Sequence, residues 1–504
     1  MFKYKIMKEN KRLKLSSILT GIVSLLFFTI NIQSINANNN SFNTTTEEGK
    51  VFKAGASTSN ITPSLGGGII GEWGTPEATH VHDELHARCL VLDDGSTKLV
   101  FIVADLLGIK ENVTNEAKRI IEEETGIPAS NVIISAIHTH SATSAMGVGE
   151  MRRQWKADSF DEYQNFIIRR FADAVRIAVN NLEPARIGWG VGKVPEHVFV
   201  RRWKLKEPVI NPFGEYDKVM MNPGVSNTNK TEQSSEADPD VTFISVQSTE
   251  GRPIALYANY GLHYVGGTPT GHISADYFAI FADRIQELLD ADRQYPPFVG
   301  AMSNGTSGNV NNVDFGRTGP AIPRNPYEKM KIVAEDVARE VFRAHNKIEF
   351  HDWVPLSARS EELTLTMRKP TKEMIKRAEK ILNQPESVKP LHIREKTYAE
   401  RILNNFNDVP DKINVILQTF RIGDLGVATS PFETFTDTGF DIKAKSPFTT
   451  TFVIELANGY LGYLPTPEEH ELGGYETWLG TSRVEKEASD KVVEVWLRQF
   501  ESMK

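Results

Sequence analysis

Residues 131–144 read NVIISAIHTHSATS, an apolar run that ends at two histidines one residue apart. The β-branched and small apolar residues of the run are typical of a buried strand. Side chains alternate between the two faces of a strand, so the pattern predicts that His138 and His140 point to the same side. Two imidazoles at a strand end suit a metal ligand and a neighbouring proton donor. The alternative is one histidine that is hydrogen-bonded in the core and one that is exposed.

Polar side chains follow other apolar runs in the same way. His263 follows IALYANYGL, Glu433 follows LGVATSPF at an expected helix start, and Tyr460 and Tyr463 follow FVIELAN. Polar groups that converge from the ends of several strands are how α/β folds build their sites. The sequence therefore predicts one site assembled from distant parts of the chain.

Strand patterns such as HARCLVLDD, KLVFIVADLLG and VTFISVQS alternate with helical patterns such as NEAKRIIEEETG and EKMKIVAEDVAREVFRAH. This alternation predicts an α/β fold of mixed β-sheets packed with helices, in a single large domain. The polar segment 211–240 is expected to be a long surface loop. The region 361–407 is expected to be rich in helix, as a subdomain or a lid.

Composition limits the class of protein. The 504 residues are 40% hydrophobic and 24% charged, as in a soluble globular protein. A net charge of -8 argues against a nucleic-acid partner, because phosphate recognition needs concentrated Lys and Arg. Cys89 is the only cysteine, which excludes an intramolecular disulfide. No protein partner is implied, and the oligomeric state is left open.

The N-terminus has the layout of a secretory signal. Basic residues precede the apolar stretch LSSILTGIVSLLFFTINI, and a polar stretch follows it. We expect a signal peptide over residues 1–37, a disordered linker over 38–49 and the folded domain over 50–504. A retained membrane anchor is the alternative. The expected location is periplasmic or extracellular, in a bacterium.

The order of motifs carries a resemblance. HTHS, then GLH leading to SADY, SNGTSGNVN, SPFE, ANGYLGYLPT and GGYE together resemble the catalytic N-terminal domain of the neutral (non-lysosomal) ceramidases. The resemblance covers nearly all of residues 50–504 and implies a zinc hydrolase that cleaves an N-acyl amide bond by metal-activated water. The chain ends at Lys504, so we expect a divergent member without the immunoglobulin-like domain that follows in the family.

The resemblance implies a single zinc ion per chain. The family's ligand pattern falls on His138, His263, Glu433 and Tyr463. Two imidazoles and a carboxylate form a catalytic zinc set with an open position, and the tyrosine is an additional weak ligand. An aromatic core residue is the alternative interpretation of Tyr463.

The resemblance also implies groups that bind or protonate the substrate. His140 matches the family's histidine and Tyr475, in ELGGYETW, matches its second tyrosine. The family's arginine falls in HVFVRRWKL, where we favour Arg201 over Arg202. Asn311 stands where the family has a serine, and its amide can bind a substrate carbonyl or hydroxyl.

Five further positions are weaker candidates. His82 and Asp83 lie in VHDEL, and a structural loop role is the alternative for both. Asp105 could orient a ligand imidazole. Asp276 could do the same, although SADY also fits a helix start, and that capping interpretation is favoured. Asn309 follows the family pattern beside the missing serine.

Three functions remain open on the sequence. The first is hydrolysis of an N-acyl lipid amide. The second keeps the metal site but acts on an oligosaccharide or another polar substrate, as a uronate lyase or as an ester or amide hydrolase, because Arg201, His140 and Tyr475 could neutralise a carboxylate and move protons. The third is a non-catalytic protein that binds a small-molecule ligand, which the missing serine suggests.

Overall fold

The computed structural model describes residues 49–71, 74–146, 159–319 and 322–504. The expected signal peptide and all but the last residue of the expected linker lie outside these ranges. Residues 47–504 form one compact unit. None of the helices in the described ranges is both long and apolar enough to cross a bilayer.

Strands supply most of the framework. In chain order they are β1 (Lys53–Asn60), β2 (His80–Val81), β3 (His86–Asp93), β4 (Lys98–Ala104), β5 (Val132–Ala136), β6 (Glu183–Lys193), β7 (Phe199–Val200), β8 (Arg202–Ile210), β9 (Tyr216–Met221), β10 (Lys230–Gln233), β11 (Asp240–Ser248), β12 (Pro253–Tyr260), β13 (His272–Ile273), β14 (Val299–Asn304), β15 (Val310–Asn311), β16 (Leu356–Thr366), β17 (Lys412–Ile422), β18 (Leu425–Thr429), β19 (Glu433–Thr434), β20 (Thr450–Ile454) and β21 (Tyr463–Leu464).

Helices separate many of these strands. They are α1 (Glu111–Thr125), α2 (Glu162–Asn180), α3 (Asp276–Leu288), α4 (Glu328–His345), α5 (Lys372–Leu382), α6 (Glu395–Asn404), α7 (Thr436–Lys445), α8 (Pro467–Leu472) and α9 (Ala488–Glu501). Short 3-10 turns occur at Ala129–Asn131, Pro195–His197 and Tyr475–Thr477.

Two mixed sheets form the core. The larger has the strand order β14-β12-β11-β6-β1-β3-β4-β5, and the smaller has the order β16-β17-β18-β20. Phe101 of β4 and Phe420 of β17 pack edge to face with ring centroids 5.4 Å apart, which joins the two sheets in one apolar core. Helices α2, α3 and α4 pack on the larger sheet, and α9 packs on the smaller one. The expected α/β fold of mixed sheets and helices is confirmed.

Three parallel strand pairs direct the chain toward one place. These pairs are β4 with β5, β12 with β14, and β18 with β20. The strands are almost wholly buried, as parallel strands covered on both faces must be. Because the carboxyl ends of paired parallel strands lie at the same sheet edge, each pair delivers two loops side by side.

Two segments differ from the sequence expectation. The segment 211–240 is not one long loop, because β9 and β10 pair with β8 in a three-stranded sheet. Their polar residues suit a sheet with a solvated face, which hides the strand pattern. The region 361–407 is helical only in α5 and α6, since its first residues belong to β16, which pairs with β17 over eleven residues.

Candidate functional site

His138 and His140 lie beyond the strand that the sequence predicts to carry them. β5 ends at Ala136, and His138 has a left-handed backbone with φ of 61°. Strand alternation therefore does not place the two imidazoles, and that prediction is wrong in its mechanism. A turn brings them together instead, with His138 Nε2 and His140 Nε2 3.3 Å apart.

Four side chains from distant segments meet at one point. His138 Nε2 lies 3.4 Å from Glu433 Oε2, and His263 Nε2 lies 3.6 Å from the same oxygen. His138, His263 and Glu433 are buried, whereas His140 is only half-buried. The nitrogens of the three histidines all lie within 4.8 Å of one another. The strand ends that the sequence singles out thus converge.

The spacing of these atoms fits a metal ion. Ligands about 2.05 Å from a tetrahedral zinc are about 3.3 Å from each other, close to the 3.3 to 3.6 Å separations of these nitrogen and oxygen atoms. Glu433 Oε2 is buried and accepts no hydrogen bond from any residue that the structure describes. A buried carboxylate oxygen without a donor is costly, and a metal would satisfy it.

Backbone carbonyls orient the two buried imidazoles. His138 Nδ1 lies 2.7 Å from the carbonyl oxygen of Leu107, and His263 Nδ1 lies 3.2 Å from that of Ser307. A carbonyl can only accept, so each Nδ1 carries the proton and each Nε2 offers its lone pair to the centre. Asp105 was expected to orient a ligand imidazole, but its carboxylate instead pairs with Arg88, 2.6 Å from Nη1.

Burial favours the neutral form of two of the imidazoles. It is the main cause that lowers the pKa of His263 and His140 well below the usual value, and the nearby Arg201 lowers both further. Burial raises the pKa of Glu433, but His138 and a hydrogen bond from Tyr460 outweigh it, so the net shift is downward. Neutral imidazoles beside a carboxylate are the forms that bind a metal.

Tyr463 lies beside Glu433 because β19 and β21 pair in parallel, with Glu433 opposite Tyr463. The Tyr463 hydroxyl accepts a 3.0 Å hydrogen bond from Arg201 Nη2, and Arg201 Nε donates to Glu476 at 3.0 Å. Arg202 is buried on the other oxygen of Glu476 and also pairs with Glu469. In the structure Arg201, and not Arg202, contacts Tyr463 of the predicted ligand set.

Two residues near the cluster, His140 and Tyr475, are only half-buried. His140 stacks on Tyr264, with ring centroids 3.7 Å apart. Tyr475 is half-buried, and its ring centroid lies 6.0 Å from that of Tyr463. Burial raises the pKa of Tyr475, so its hydroxyl keeps its proton. A substrate that reached both residues would meet a proton donor at Tyr475 and a neutral imidazole at His140.

The weaker candidates occupy supporting positions. Asp83 accepts from Ser274, and the ring of His82 stacks on Tyr327 at 3.7 Å. Asp276 opens α3 and accepts from the amides of Val265 and Gly266, at 3.0 and 2.8 Å, which holds the loop after His263.

Asn311 stands at the position where the resemblance places a serine, and Asn309 lies two residues before it. Asn309 Oδ1 accepts from the amide of Thr436 at 3.0 Å, so it ties its loop to the segment after Glu433. Asn311 donates to Asn222 Oδ1 at 2.8 Å. The hydrogen bond of Asn311 is thus directed to Asn222 and not to the histidine cluster.

Three further residues shape the site without a sequence prediction of their role. Tyr460 donates to Glu433 Oε1 at 2.6 Å. The sequence could have indicated this role, because Tyr460 follows the same apolar run as Tyr463. Glu455 directly follows β20 within the apolar run FVIELAN, and it accepts from the amides of Ser307 and Thr434. Gly308 packs so closely on Glu433 that a Cβ would lie 2.3 Å from the carbonyl oxygen.

Comparisons with known proteins bear on the family and the fold. The sequence model of the neutral/alkaline non-lysosomal ceramidase N-terminal domain matches residues 52–318. The neutral ceramidase of Pseudomonas aeruginosa is similar in structure, with a TM-score of 0.64 and 18% identity over 90% of this chain and 74% of that one. A ceramidase complexed with C2 gives a TM-score of 0.65 and 17% identity over 90% and 75% of the two chains. At these identities the two structures establish the shared fold.

Proposed function

Because the chain belongs to the neutral/alkaline non-lysosomal ceramidase family, we propose that it is a zinc-dependent amidohydrolase that releases the fatty acid from ceramide or a related N-acyl lipid. One observation supports this most directly. The Nε2 atoms of His138 and His263 face an otherwise unsatisfied, buried Glu433 oxygen at 3.4 and 3.6 Å. Such a donor set has the composition of a catalytic zinc site.

We assign His138, His263 and Glu433 as the residues that hold the ion, with Tyr463 as a further weak ligand. When bound, zinc polarises a carbonyl oxygen and lowers the pKa of water, so no side-chain nucleophile is required. That chemistry suits a chain in which Asn311 stands at the position of the family's serine.

The chain's own residues would handle the protons. Amide hydrolysis forms a C–O bond to water, breaks the C–N bond, and gives the leaving nitrogen a proton. His140 is neutral because burial lowers its pKa, so it can take a proton from the attacking water and return it to the nitrogen. Tyr475 keeps its hydroxyl proton and can donate to the oxygen of the scissile carbonyl.

Arg201 has a positioning role in this proposal. Its guanidinium is already bonded to Glu476, Tyr463 and the carbonyl of Gly308, at 2.9 to 3.0 Å. A guanidinium compensated by Glu476 is a poor partner for a substrate carboxylate, which elimination from a uronic acid would need. We therefore do not propose the lyase reaction.

We also propose that the chain is exported, because the basic and apolar pattern of residues 1–37 has the layout of a signal peptide. The test is the N-terminal sequence of the protein recovered outside the cytoplasm, which should begin close to residue 38. Recovery of full-length protein in the membrane fraction would contradict cleavage.

The function is tested by fatty-acid release from ceramide by protein of known zinc content. We expect chelator-sensitive release, and His263→Ala should lose zinc affinity by more than about 100-fold, because even residues that only orient ligands contribute about 10- to 100-fold. His351→Ala is the matched control and should retain activity, because His351 is a half-buried histidine that bridges to Ile187 of β6. A fully zinc-loaded protein that hydrolyses no N-acyl sphingoid substrate would contradict the proposal.

A further inference from the structure

The connection between α5 and α6 exposes an unusual set of apolar side chains. We call residues 382–393 the hairpin tip. Ile393 is 90% exposed and Leu391 is 60% exposed, and Val388 and Leu382 are also exposed. Single exposed apolar residues are common, but four within twelve residues at one end of a helical hairpin form a patch, and such patches mark binding surfaces.

The charge around the hairpin tip differs from that of the chain. Residues 376–396 carry six basic and three acidic side chains, whereas the whole chain has a net charge of -8. One of the three acids, Glu395, is buried and pairs with Arg377. Lys380, Lys389 and Lys396 are all exposed. The patch is therefore an apolar tip set among lysines on an acidic protein.

A chain of aromatic rings links the hairpin tip to the candidate site. The His392 ring lies 5.5 Å from that of Trp478, and Trp478 lies 5.7 Å from Tyr475. Tyr475 in turn lies 6.0 Å from Tyr463. A surface that receives the hairpin tip would thus be joined through three ring contacts to Tyr463, which lies opposite Glu433.

We propose that the hairpin tip docks the protein on a lipid bilayer that carries anionic headgroups. This inference rests on the proposed function, because a ceramide with long acyl chains resides in a bilayer. Ile393 and Leu391 would enter the boundary between headgroups and acyl chains, while the lysines contact headgroup phosphates. The combination of exposed aliphatic tips and surrounding lysines favours this occupant over a second protein, whose interface core would be poor in lysine.

The test is co-sedimentation of the full chain with ceramide-free vesicles of phosphatidylcholine with or without phosphatidylglycerol. We expect binding that strengthens with phosphatidylglycerol and weakens with salt. The double variant Leu391→Ser/Ile393→Ser should bind about tenfold more weakly or worse, and each of Lys380→Gln, Lys389→Gln and Lys396→Gln about fivefold more weakly.

Tyr295→Ser is the matched control. Tyr295 is 87% exposed, but it precedes β14, whereas the site lies past the other end of that strand, about 20 Å away at about 3.3 Å per residue. Its substitution should leave vesicle binding unchanged. The tip variants should also hydrolyse a short-chain, water-soluble ceramide at the normal rate.

Several outcomes would overturn the proposal. These are absence of vesicle binding, binding that the tip variants leave intact, or a concentration-dependent dimer that the tip variants abolish. The proposal would also be overturned if the tip variants lost hydrolysis of the soluble substrate as strongly as they lost vesicle binding, because the tip would then act through the site. The vesicles contain no ceramide, so vesicle binding is measured independently of hydrolysis. A protein that binds these vesicles but hydrolyses no ceramide in the separate activity assay would contradict the proposed function and leave the docking surface supported.

Discussion

Glu433 shows how strongly the surroundings of one side chain define its chemistry. Its Oε1 accepts from Tyr460, while its Oε2 faces His138 and His263 and receives no hydrogen bond from the described residues. One oxygen is thus held by the hydrogen bond from Tyr460, and the other faces the two imidazoles. The same glutamate on an exposed helix would have no such preference.

His140 can be separated experimentally from the two buried histidines. We expect His140→Ala to keep zinc affinity within about tenfold of normal but to lower kcat by about 10²- to 10⁴-fold, the usual contribution of proton transfer by a side chain. Metal analysis and kinetics on the same sample provide the measurement, with His263→Ala as the comparison. If His140→Ala loses zinc as fully as His263→Ala, then His140 is a ligand, which the 3.3 Å separation from His138 Nε2 also permits.

A glycine is required at position 308 because the backbone there approaches the backbone of Glu433 closely. In Gly308→Ala the new Cβ would lie 2.3 Å from the carbonyl oxygen of Glu433, and a backbone atom cannot rotate away. We expect a loss of about 1 to 3 kcal/mol in the free energy of unfolding and weaker zinc binding. Urea denaturation and zinc titration check this. Gly74→Ala, where a Cβ meets open space, should be neutral, and equal effects of the two would refute the explanation.

Glu455 joins the ends of separate elements. Its carboxylate accepts from the Ser307 amide at 3.2 Å, from the Ser307 hydroxyl, and from the Thr434 amide at 2.8 Å. Ser307 orients His263, and Thr434 follows Glu433 directly. One buried side chain directly after β20 therefore aligns the loop after β14 with the short strand β19.

The two substitutions Glu455→Ala and Glu455→Gln should differ. Alanine leaves two buried amides unsatisfied, so we expect zinc affinity to fall by about 10- to 100-fold. Glutamine keeps one acceptor oxygen, and its amide group can donate to the Ser307 hydroxyl, so most of the affinity should return. Zinc titration against a competing chelator measures both. Equal losses would mean that Glu455 acts through its charge and not through these hydrogen bonds.

Buried histidines make the stability of the folded chain depend on pH. His470 of α8 is buried near Arg368 and Lys486, and burial is the first cause that lowers its pKa to about 3. The unfolded chain binds the proton near the ordinary pKa of 6.5, so the unfolded state holds more protons below that pH. The contribution of His470 to stability is therefore present above pH 6.5 and is lost as pH falls toward 3.

Comparison with His470→Gln isolates this effect. Each pH unit below 6.5 should reduce the stability of the natural chain relative to the variant by about 1.4 kcal/mol, or about 2 kcal/mol between pH 6.5 and pH 5. Urea denaturation at both pH values provides the measurement. A difference that does not change with pH would show that the imidazole is protonated in the folded state.

The sequence was informative about the site because the polar residues of the site directly follow apolar runs. Apolar runs that stop at His138, His263 and Glu433 are visible without a structure, and the family assignment and the α/β class that they indicated are confirmed. It was less informative where polar strands resemble loops, as in β9 and β10, and where a functional carboxylate such as Glu455 lies inside an apolar run. Hydropathy reports burial, and it does not report which buried polar group faces which partner.

Local residue order thus indicated the apolar strands and the amphipathic helices, and which residue types follow the apolar runs, because apolar periodicity and turn chemistry act over a few neighbours. It could not determine that a left-handed turn at His138 brings His140 close, that Arg201 and not Arg202 reaches Tyr463, or that Asp105 pairs with Arg88. Those outcomes depend on contacts between residues tens or hundreds of positions apart. These contacts form only when the parallel strand pairs have brought the loops that follow them together.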